Sequence, residues 1–382
     1  MSLRLVHFSD THLGYRAYNR LNSRGLNLRE VDVFDAFRRT LALISELEPD
    51  LVLLSGDVFH SVRPSNLTVY QTLRELRAFR QRCSAPLVVI AGNHESPRSQ
   101  DTGCVLRLFD MVPDITVVDT GFQEVVLPGL DTSVFCLPHR ALPALERLDL
   151  KPSGTSRRNI LMVHGTVEGI RIGGYDGQAI PRSRVINDAW DYIACGHYHL
   201  YTKLAENAYY SGSTEYTSRN LWEETKKPKG FIEWDLEERK ELRFHEIETR
   251  PVVILPPIDC DGRSPDEVMA KIAESVSTPR GGIEEKVARL VLEGMTRQAF
   301  QHLDHRVLRE YRASALHLEI SLRPPQGSPG GSSPTGERQS RTLEMEWEEF
   351  IDAGEIPAGL ERPELKTRGL QVLSEVEVDL SD

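Results

Sequence analysis

Arg4-Leu5-Val6-His7-Phe8-Ser9-Asp10-Thr11-His12 is a short apolar run that breaks off into residues able to hold a metal ion. The same pattern returns along the chain. Leu51-Val52-Leu53-Leu54 leads to Ser55-Gly56-Asp57, and Leu87-Val88-Val89-Ile90 to Ala91-Gly92-Asn93-His94-Glu95. Ile160-Leu161-Met162-Val163 leads to His164-Gly165, and Tyr192-Ile193-Ala194-Cys195 to Gly196-His197-Tyr198-His199. Unbroken apolar runs of this length read as strands buried on both faces. Amphipathic helices fit between the early ones. Val33, Phe34, Phe37, Leu41 and Ile44 share one helix face, and Val69, Leu73 and Leu76 another. Strand–helix alternation predicts a layered α/β domain. Ligands gather beyond the carboxyl ends of strands in such sheets, and every polar cluster falls there.

The pattern changes near Pro251. Val252 to Ile254 reads as a strand. Ser264-Pro265-Asp266-Glu267 supplies a helix N-cap, a proline at the first position and a capping-box glutamate. Val287 to Leu292 reads as a strand and Asp304 to Tyr311 as a helix. Leu316, Leu318, Ile320 and Leu322 alternate with polar residues, as in a half-buried strand. Residues 249–322 are therefore expected to form a small α+β domain after a first domain of residues 1–248. Residues 323–341, rich in Pro, Gly and Ser, read as a flexible linker. Residues 342–382 carry two short amphipathic pieces, marked by Leu343, Trp347, Phe350 and Ile351 and by Leu370, Leu373 and Val376. So short a tail rarely supports its own core. Its apolar faces dock in a partner's groove or pack back on the same chain.

The clusters offer Asp10, His12, Asp57, Asn93, His164, His197 and His199 as ligands. Imidazoles and carboxylates suit Zn²⁺, Mn²⁺ or Fe, and an Asn carbonyl tilts the choice toward Mn²⁺. The set is too large for one catalytic ion. It fits two divalent ions if one carboxylate bridges, and Asp57 is the natural bridge. Such a pair activates water and neutralises a phosphoryl group. His94, adjacent to a ligand, is placed to steady the developing charge or protonate the leaving oxygen. Any fragment alone is weak, since a lone histidine on an apolar strand is more often a satisfied core residue. The argument rests on the ordered set.

Composition sets the bounds. The 382 residues suggest two or three domains, and 40% hydrophobic with 27% charged residues is ordinary for a globular protein. There is no apolar run long enough to span a membrane and no signal-peptide pattern at the start. Five dispersed cysteines argue for a reducing cytoplasm. The net charge of −11 argues against nucleic acid. Bound cations and local basic patches weaken that objection.

The motifs resemble the calcineurin-like metallophosphoesterase superfamily, and within it the DNA double-strand-break repair nucleases, the SbcD-like exonuclease subunits of SbcCD complexes. The resemblance is carried by Ser9-Asp10-Thr11-His12-Leu13-Gly14, Gly56-Asp57-Val58-Phe59-His60, Arg63-Pro64-Ser65, Gly92-Asn93-His94-Glu95, His164-Gly165 and Gly196-His197-Tyr198-His199. Phe59-His60 and Arg63-Pro64 stand where the phosphoprotein phosphatases carry Asp-Arg-Gly.

The resemblance implies an α/β metallophosphoesterase β-sandwich flanked by helices, with a small α+β capping domain and a C-terminal helical tail. It implies a Mn²⁺-dependent exonuclease and endonuclease acting on double-stranded DNA ends and single-stranded regions. One ion would be held by Asp10, His12, Asp57 and His199, the other by Asp57, Asn93, His164 and His197. His94 and His60 would be catalytic, with a structural place beneath the site the lesser reading of His60. The tail residues Trp347, Phe350, Ile351, Leu370 and Leu373 would bind an SbcC-type ABC/SMC-like ATPase, and the chain would form a cytoplasmic homodimer. Glu95 departs from the Asp common in these nucleases but keeps the carboxylate.

Two rivals stand beside this reading. A phosphoesterase for small phosphodiesters or phosphoproteins suits the acidic charge but needs no cap or tail. A non-catalytic DNA tether would be expected to lack a ligand, and none is missing. Tyr15, Arg16, Tyr18, Asn19, Arg20 and Arg24 form either a DNA-tracking loop or an ordinary solvated one. Residues 169–174 read as a rim of the site. Lys226, Lys227 and Lys229 read as a solvated basic run, His139 as a surface or loop residue, Cys195 as a core thiol, and His245, His302, His305 and His317 as solvated.

Overall fold

The computed structural model describes residues 2–97, 102–170, 179–218, 220–325, 347, 351–352 and 362–370. β1 (Arg4–Phe8), β2 (Leu51–Leu54), β3 (Leu87–Ile90) and β4 (Ile115–Val118) lie side by side and parallel. α1 (Leu28–Leu47) and α2 (Asn66–Arg80) make the first two crossovers. The second sheet takes β5 (Gln123–Leu127), β6 (Thr132–Leu137), β7 (Arg158–His164), β8 (Tyr192–Gly196), β9 (Thr202–Ala205) and β10 (Ala208–Tyr210), with β10 beside β8. The single-turn helices α3 (Arg182–Val185) and α4 (Leu221–Glu224) interrupt its later connections. β11 (Gly230–Asp235) and β12 (Lys240–Glu246) then return to the first sheet, where β11 runs antiparallel to β1.

The unbroken apolar runs divide by parity, as strand side chains must. Leu5, Leu51, Leu53, Val88 and Ile90 pack inward against Val134, Cys136, Ile160 and Met162 of the facing sheet. Val6, Phe8, Val52, Leu54 and Val89 pack outward against Val33, Phe37 and Leu41 of α1 and Leu76 and Phe79 of α2. Each such side chain contributes about 1.5–3 kcal/mol on leaving water. On the far face of the second sheet, Leu137, Leu161, Val163 and Cys195 are covered by Ala141, Leu145 and Trp190. Cys195 is thus a core thiol, as its sequence context suggests. α1 starts where the Asn27 side chain accepts from the backbone of Arg29 and Glu30, and stops at Glu48 in the left-handed conformation. The result is an α/β sandwich with helices on its flank.

Beyond Pro251, β13 (Val252–Ile254), β14 (Ile258–Asp259) and β16 (His317–Arg323) all pair in parallel with β15 (Val287–Glu293). α5 (Pro265–Ser277) begins with the Ser264–Glu267 capping box. α6 (Arg297–Phe300) is a single turn, and α7 (His305–Ser314) is capped by Asp304. These elements enclose their own cluster, including Leu255, Ile272, Leu290, Leu292 and Leu308.

In the loop after Gly14, three of the six side chains singled out from the sequence turn to the protein itself. Arg20 donates to the carbonyls of Arg312, Ala313 and Ala315 at the end of α7. Tyr18 stacks on His317 at 4.0 Å, and Arg16 pairs with Glu30. The orphan carbonyls of a helix C-terminus take up the cation that a phosphate would otherwise attract. Arg24 stays exposed. Of the histidines read as solvated, His317 is half-buried here and His245 Nε2 lies 2.7 Å from Glu233.

In the tail, Trp347 Nε1–H donates to the carbonyl of Lys366, and the indole lies against Gly369. Ile351 is buried. The two tail pieces thus pack on one another, and Leu370 lies at the end of the helix over 362–370, half-buried. Phe350, Leu373 and the linker at 326–341 lie outside the described residues, as do residues 171–174 of the expected rim.

Candidate metal centre

The loops that follow β1, β2, β3, β7 and β8 converge at one end of the sandwich. Backbone bonds zip the first two together: Asp10 N–H donates to Gly56 O, His12 N–H to Asp57 O and Leu13 N–H to Val58 O. Asp10, His12, Asp57 and His197 have φ of 53°, 46°, 50° and 100°, the left-handed region that side chains other than glycine rarely occupy. Such strain persists only where surrounding structure enforces it, and it concentrates at functional sites. The approach is close: a Cβ on Gly196 would sit 1.9 Å from Ser55 O, and one on Gly92 2.0 Å from Asp57 Oδ1. Only glycine fits at these positions.

Three donor groups result among the described residues, one of them formed by His12, His60 and His94 beside the other two. Asp10, His12 and His199 bring ligand atoms within 4.8 Å of one another, and so do Asp57, His164 and His197. Asn93 Oδ1 completes the second group, 2.9 Å from His197 Nδ1 and 3.2 Å from His164 Nε2. Asp57 Oδ2 lies between them, 3.3 Å from His164 Nε2 and 3.8 Å from His12 Nε2. All seven residues named from the sequence therefore stand together, with Asp57 in the shared position. A donor set of imidazoles, carboxylates and one amide oxygen fits a pair of divalent cations.

Neighbouring groups fix ring orientation. His164 Nδ1–H donates to Ser55 O at 2.7 Å, which turns Nε2 into the centre. His94 Nδ1–H donates to His60 O at 2.7 Å, and its backbone N–H to Asp57 Oδ1 at 3.0 Å. The His94 and His60 rings stack at 5.1 Å, and Tyr15 meets His60 edge-on at 5.0 Å. His60 is thus at the site, half-buried, with its carbonyl orienting His94.

Burial opposes charge on His164, but Asp57 outweighs it and lifts the imidazole to about 9. Burial likewise opposes charge on Asp57, yet His164 holds it well below the carboxylate range. Burial, then His164, lowers His197 to about 3, and burial, then His94, lowers His60 to about 4. Burial raises Asp10.

Sequence reasoning did not give several residues the places they take. Glu95 is fully buried, and accepts from Phe59 N–H at 2.6 Å and Gly92 N–H at 3.0 Å, so it ties the loop of Asp57 to that of Asn93. Burial, then the Asp57 charge, pushes its carboxyl up to about 8 in the metal-free chain. Glu95→Gln leaves one of the two amides facing a donor. Urea unfolding at a pH above about 8, where the carboxylate is ionised and accepts from both amides, is expected to show a loss of about 1–3 kcal/mol, and an unchanged midpoint there contradicts this. His139, read as a surface or loop residue, sits with its ring 6.3 Å from His164 and 6.4 Å from His197. Lys229, read as solvated, is buried, while Lys226 and Lys227 are exposed. Its ammonium reaches Glu224, so the lysine is buried as one half of an ion pair and not as an unpaired charge. The signal for Glu224 and Lys229 lies only in tertiary contacts.

Residues 3–201 match the calcineurin-like phosphoesterase family. The chain is 28% identical over 304 residues to the DNA double-strand break repair protein Mre11 of Methanocaldococcus jannaschii, covering 78% of this chain and 77% of that protein. It is 28% identical over 201 residues to the protein of the same name from Sulfurisphaera tokodaii, covering 51% of this chain and 48% of that one. For the Methanococcus maripaludis protein of that name the identity is 29% over 248 residues, covering 61% and 63%. Among the described residues no helix is long and apolar enough to cross a membrane.

Proposed function

The chain belongs to the calcineurin-like phosphoesterase family, and on that footing we propose that it is a metal-dependent DNA exonuclease and endonuclease, the nuclease subunit of an SbcCD-type double-strand-break repair complex. The observation that carries the reading is the convergence of two donor groups on Asp57. The DNA substrate is supported by relatives named for double-strand break repair. Phe59-His60 and Arg63-Pro64 after Gly56-Asp57 support it as well.

We assign one Mn²⁺ to Asp10, His12, Asp57 and His199 and the other to Asp57, Asn93, His164 and His197. The pair supplies water activation and charge neutralisation for phosphodiester hydrolysis. Asp57 and Asp10 offset the cations' charge. Ser55 and Glu224 hold two of the imidazoles in orientation. His94, fixed through its Nδ1–H, presents Nε2 to the scissile phosphate, where it steadies charge or protonates the leaving oxygen. His60 holds His94 in place.

Residues 249–322 act as a capping domain, 323–341 as a linker and 342–382 as the segment that engages an SbcC-type ATPase through Trp347, Phe350, Ile351, Leu370 and Leu373. A homodimer has a partly apolar surface to use: a groove where Val62, Pro64, Tyr70, Leu73, Val105 and Leu108 lie among Arg63, Asn66 and Thr102. Free thiols on all five cysteines agree with a cytoplasmic setting.

The second reading, a phosphoesterase for small phosphodiesters or phosphoproteins, is favoured by the net charge of −11. Incubation with Mn²⁺ and either linear duplex DNA or a chromogenic phosphodiester separates the two. The proposal expects DNA to be shortened, and a chelator to stop it. Hydrolysis of the small diester with DNA left intact, even with an ATPase partner added, supports the second reading.

A further inference from the structure

We propose that Glu224 is a positioning residue for His199, that Lys229 holds it in that role, and that this pair makes the two halves of the metal centre unequal. The inference rests on the metal-centre reading above. Glu224 closes the single turn of α4, and its Oε1 lies 3.1 Å from His199 Nδ1. The Nδ1–H donates to the carboxylate, so His199 Nε2 faces the centre, 3.0 Å from His12 Nε2.

The carboxylate is itself fixed. Ser218 N–H donates to Glu224 Oε1 at 2.8 Å. The Lys229 ammonium donates to Glu224 Oε2, to His199 O at 2.9 Å and to Ser213 Oγ at 2.7 Å, which uses all three of its hydrogens. Both side chains are withdrawn from water. Burying an ion pair is costly unless every hydrogen bond is made, and here the bonds converge on the residues around His199. On its other side α4 is anchored by Trp222, whose Nε1–H donates to Glu319 of β16.

The other half is built differently. His164 donates its Nδ1–H to the neutral carbonyl of Ser55. An anionic acceptor makes the opposite nitrogen more basic and a better ligand than a neutral one does. The Asp10–His12–His199 half therefore binds its ion more tightly through Glu224, and loss of the carboxylate's charge weakens that half alone.

The test is calorimetric titration of Mn²⁺ into metal-free wild type, Glu224→Gln, and the double variant Glu224→Leu with Lys229→Met, each with a thermal melt of the metal-free protein. Glu224→Gln keeps the volume. The double variant removes both buried charges together, so neither is left unpaired. The expected result is two binding steps in wild type, with one step weakened about 10–100-fold in both variants and the other step unchanged. Wild-type affinity at both steps in both variants overturns the inference, even if their melting points fall, because the pair is then structural. A wild-type chain that takes up no Mn²⁺ overturns the metal-centre reading and this inference with it.

Discussion

Asp57→Asn is expected to abolish metal-dependent phosphodiester hydrolysis while leaving the fold intact. Asp57 is buried, and one of its oxygens reaches toward each donor group. The other accepts the backbone N–H of His94. An asparagine keeps the volume and one acceptor, so the loop keeps its shape. It removes the charge shared by the two cations. Charge stabilisation by such a pair amounts to several kcal/mol, so kcat is expected to fall about 10³-fold or more at any attainable Mn²⁺ concentration. Circular dichroism should match wild type, and Mn²⁺ uptake should drop. Full activity in a well-folded Asp57→Asn protein contradicts the shared position of this carboxylate.

His94→Ser is expected to separate chemistry from metal binding. His94 lies outside the two donor groups assigned to the cations, although it stands close to His12 and His60 and its ring meets that of His12 edge-on at 4.7 Å. Its Nδ1–H is committed to His60 O, which leaves Nε2 for the substrate. Serine removes the imidazole and keeps the backbone N–H that Asp57 accepts. Loss of a positioned acid or charge stabiliser costs about 10²–10⁴-fold in rate. At equal metal occupancy kcat should fall by that amount, with KM for DNA little changed. A variant that cuts as wild type does assigns the proton transfer elsewhere, with His60 the neighbouring candidate.

The parts of the fold that were legible are those with a local code. β1, β2, β3, β7 and β8 are buried over most of their length on both faces, so their sequences are mostly apolar, with polar residues at the ends of β1 and β7 and His7 alone inside. The clusters that follow them had to meet, because ligand loops of such sheets share one edge. Ser264 and Glu267 announced α5 through a cap that involves only neighbouring residues. β11 was not legible. Gly230–Asp235 carries Glu233 and Asp235, and its place beside β1 depends on antiparallel pairing more than two hundred residues away in sequence. Glu224 and Lys229 sit in the charged stretch Glu223-Glu224-Thr225-Lys226-Lys227-Pro228-Lys229, where composition suggests a solvated face. Glu223 and Lys226 do meet water, while Glu224 and Lys229 turn inward to His199. Nothing in the local sequence separates those fates. Arg20 was left open for a similar reason: a basic residue beside an active-site motif suits a phosphate and a helix C-terminus equally well, and the local sequence does not reveal the carbonyls at the end of α7.

The central claim is that two cations share Asp57. It is tested most directly by a crystal structure of the protein soaked in Mn²⁺, with anomalous difference maps collected at the manganese edge. Two peaks are expected, one among Asp10, His12 and His199 and one among Asn93, His164 and His197, with Asp57 touching both. A single peak, or two peaks without Asp57 between them, would contradict it.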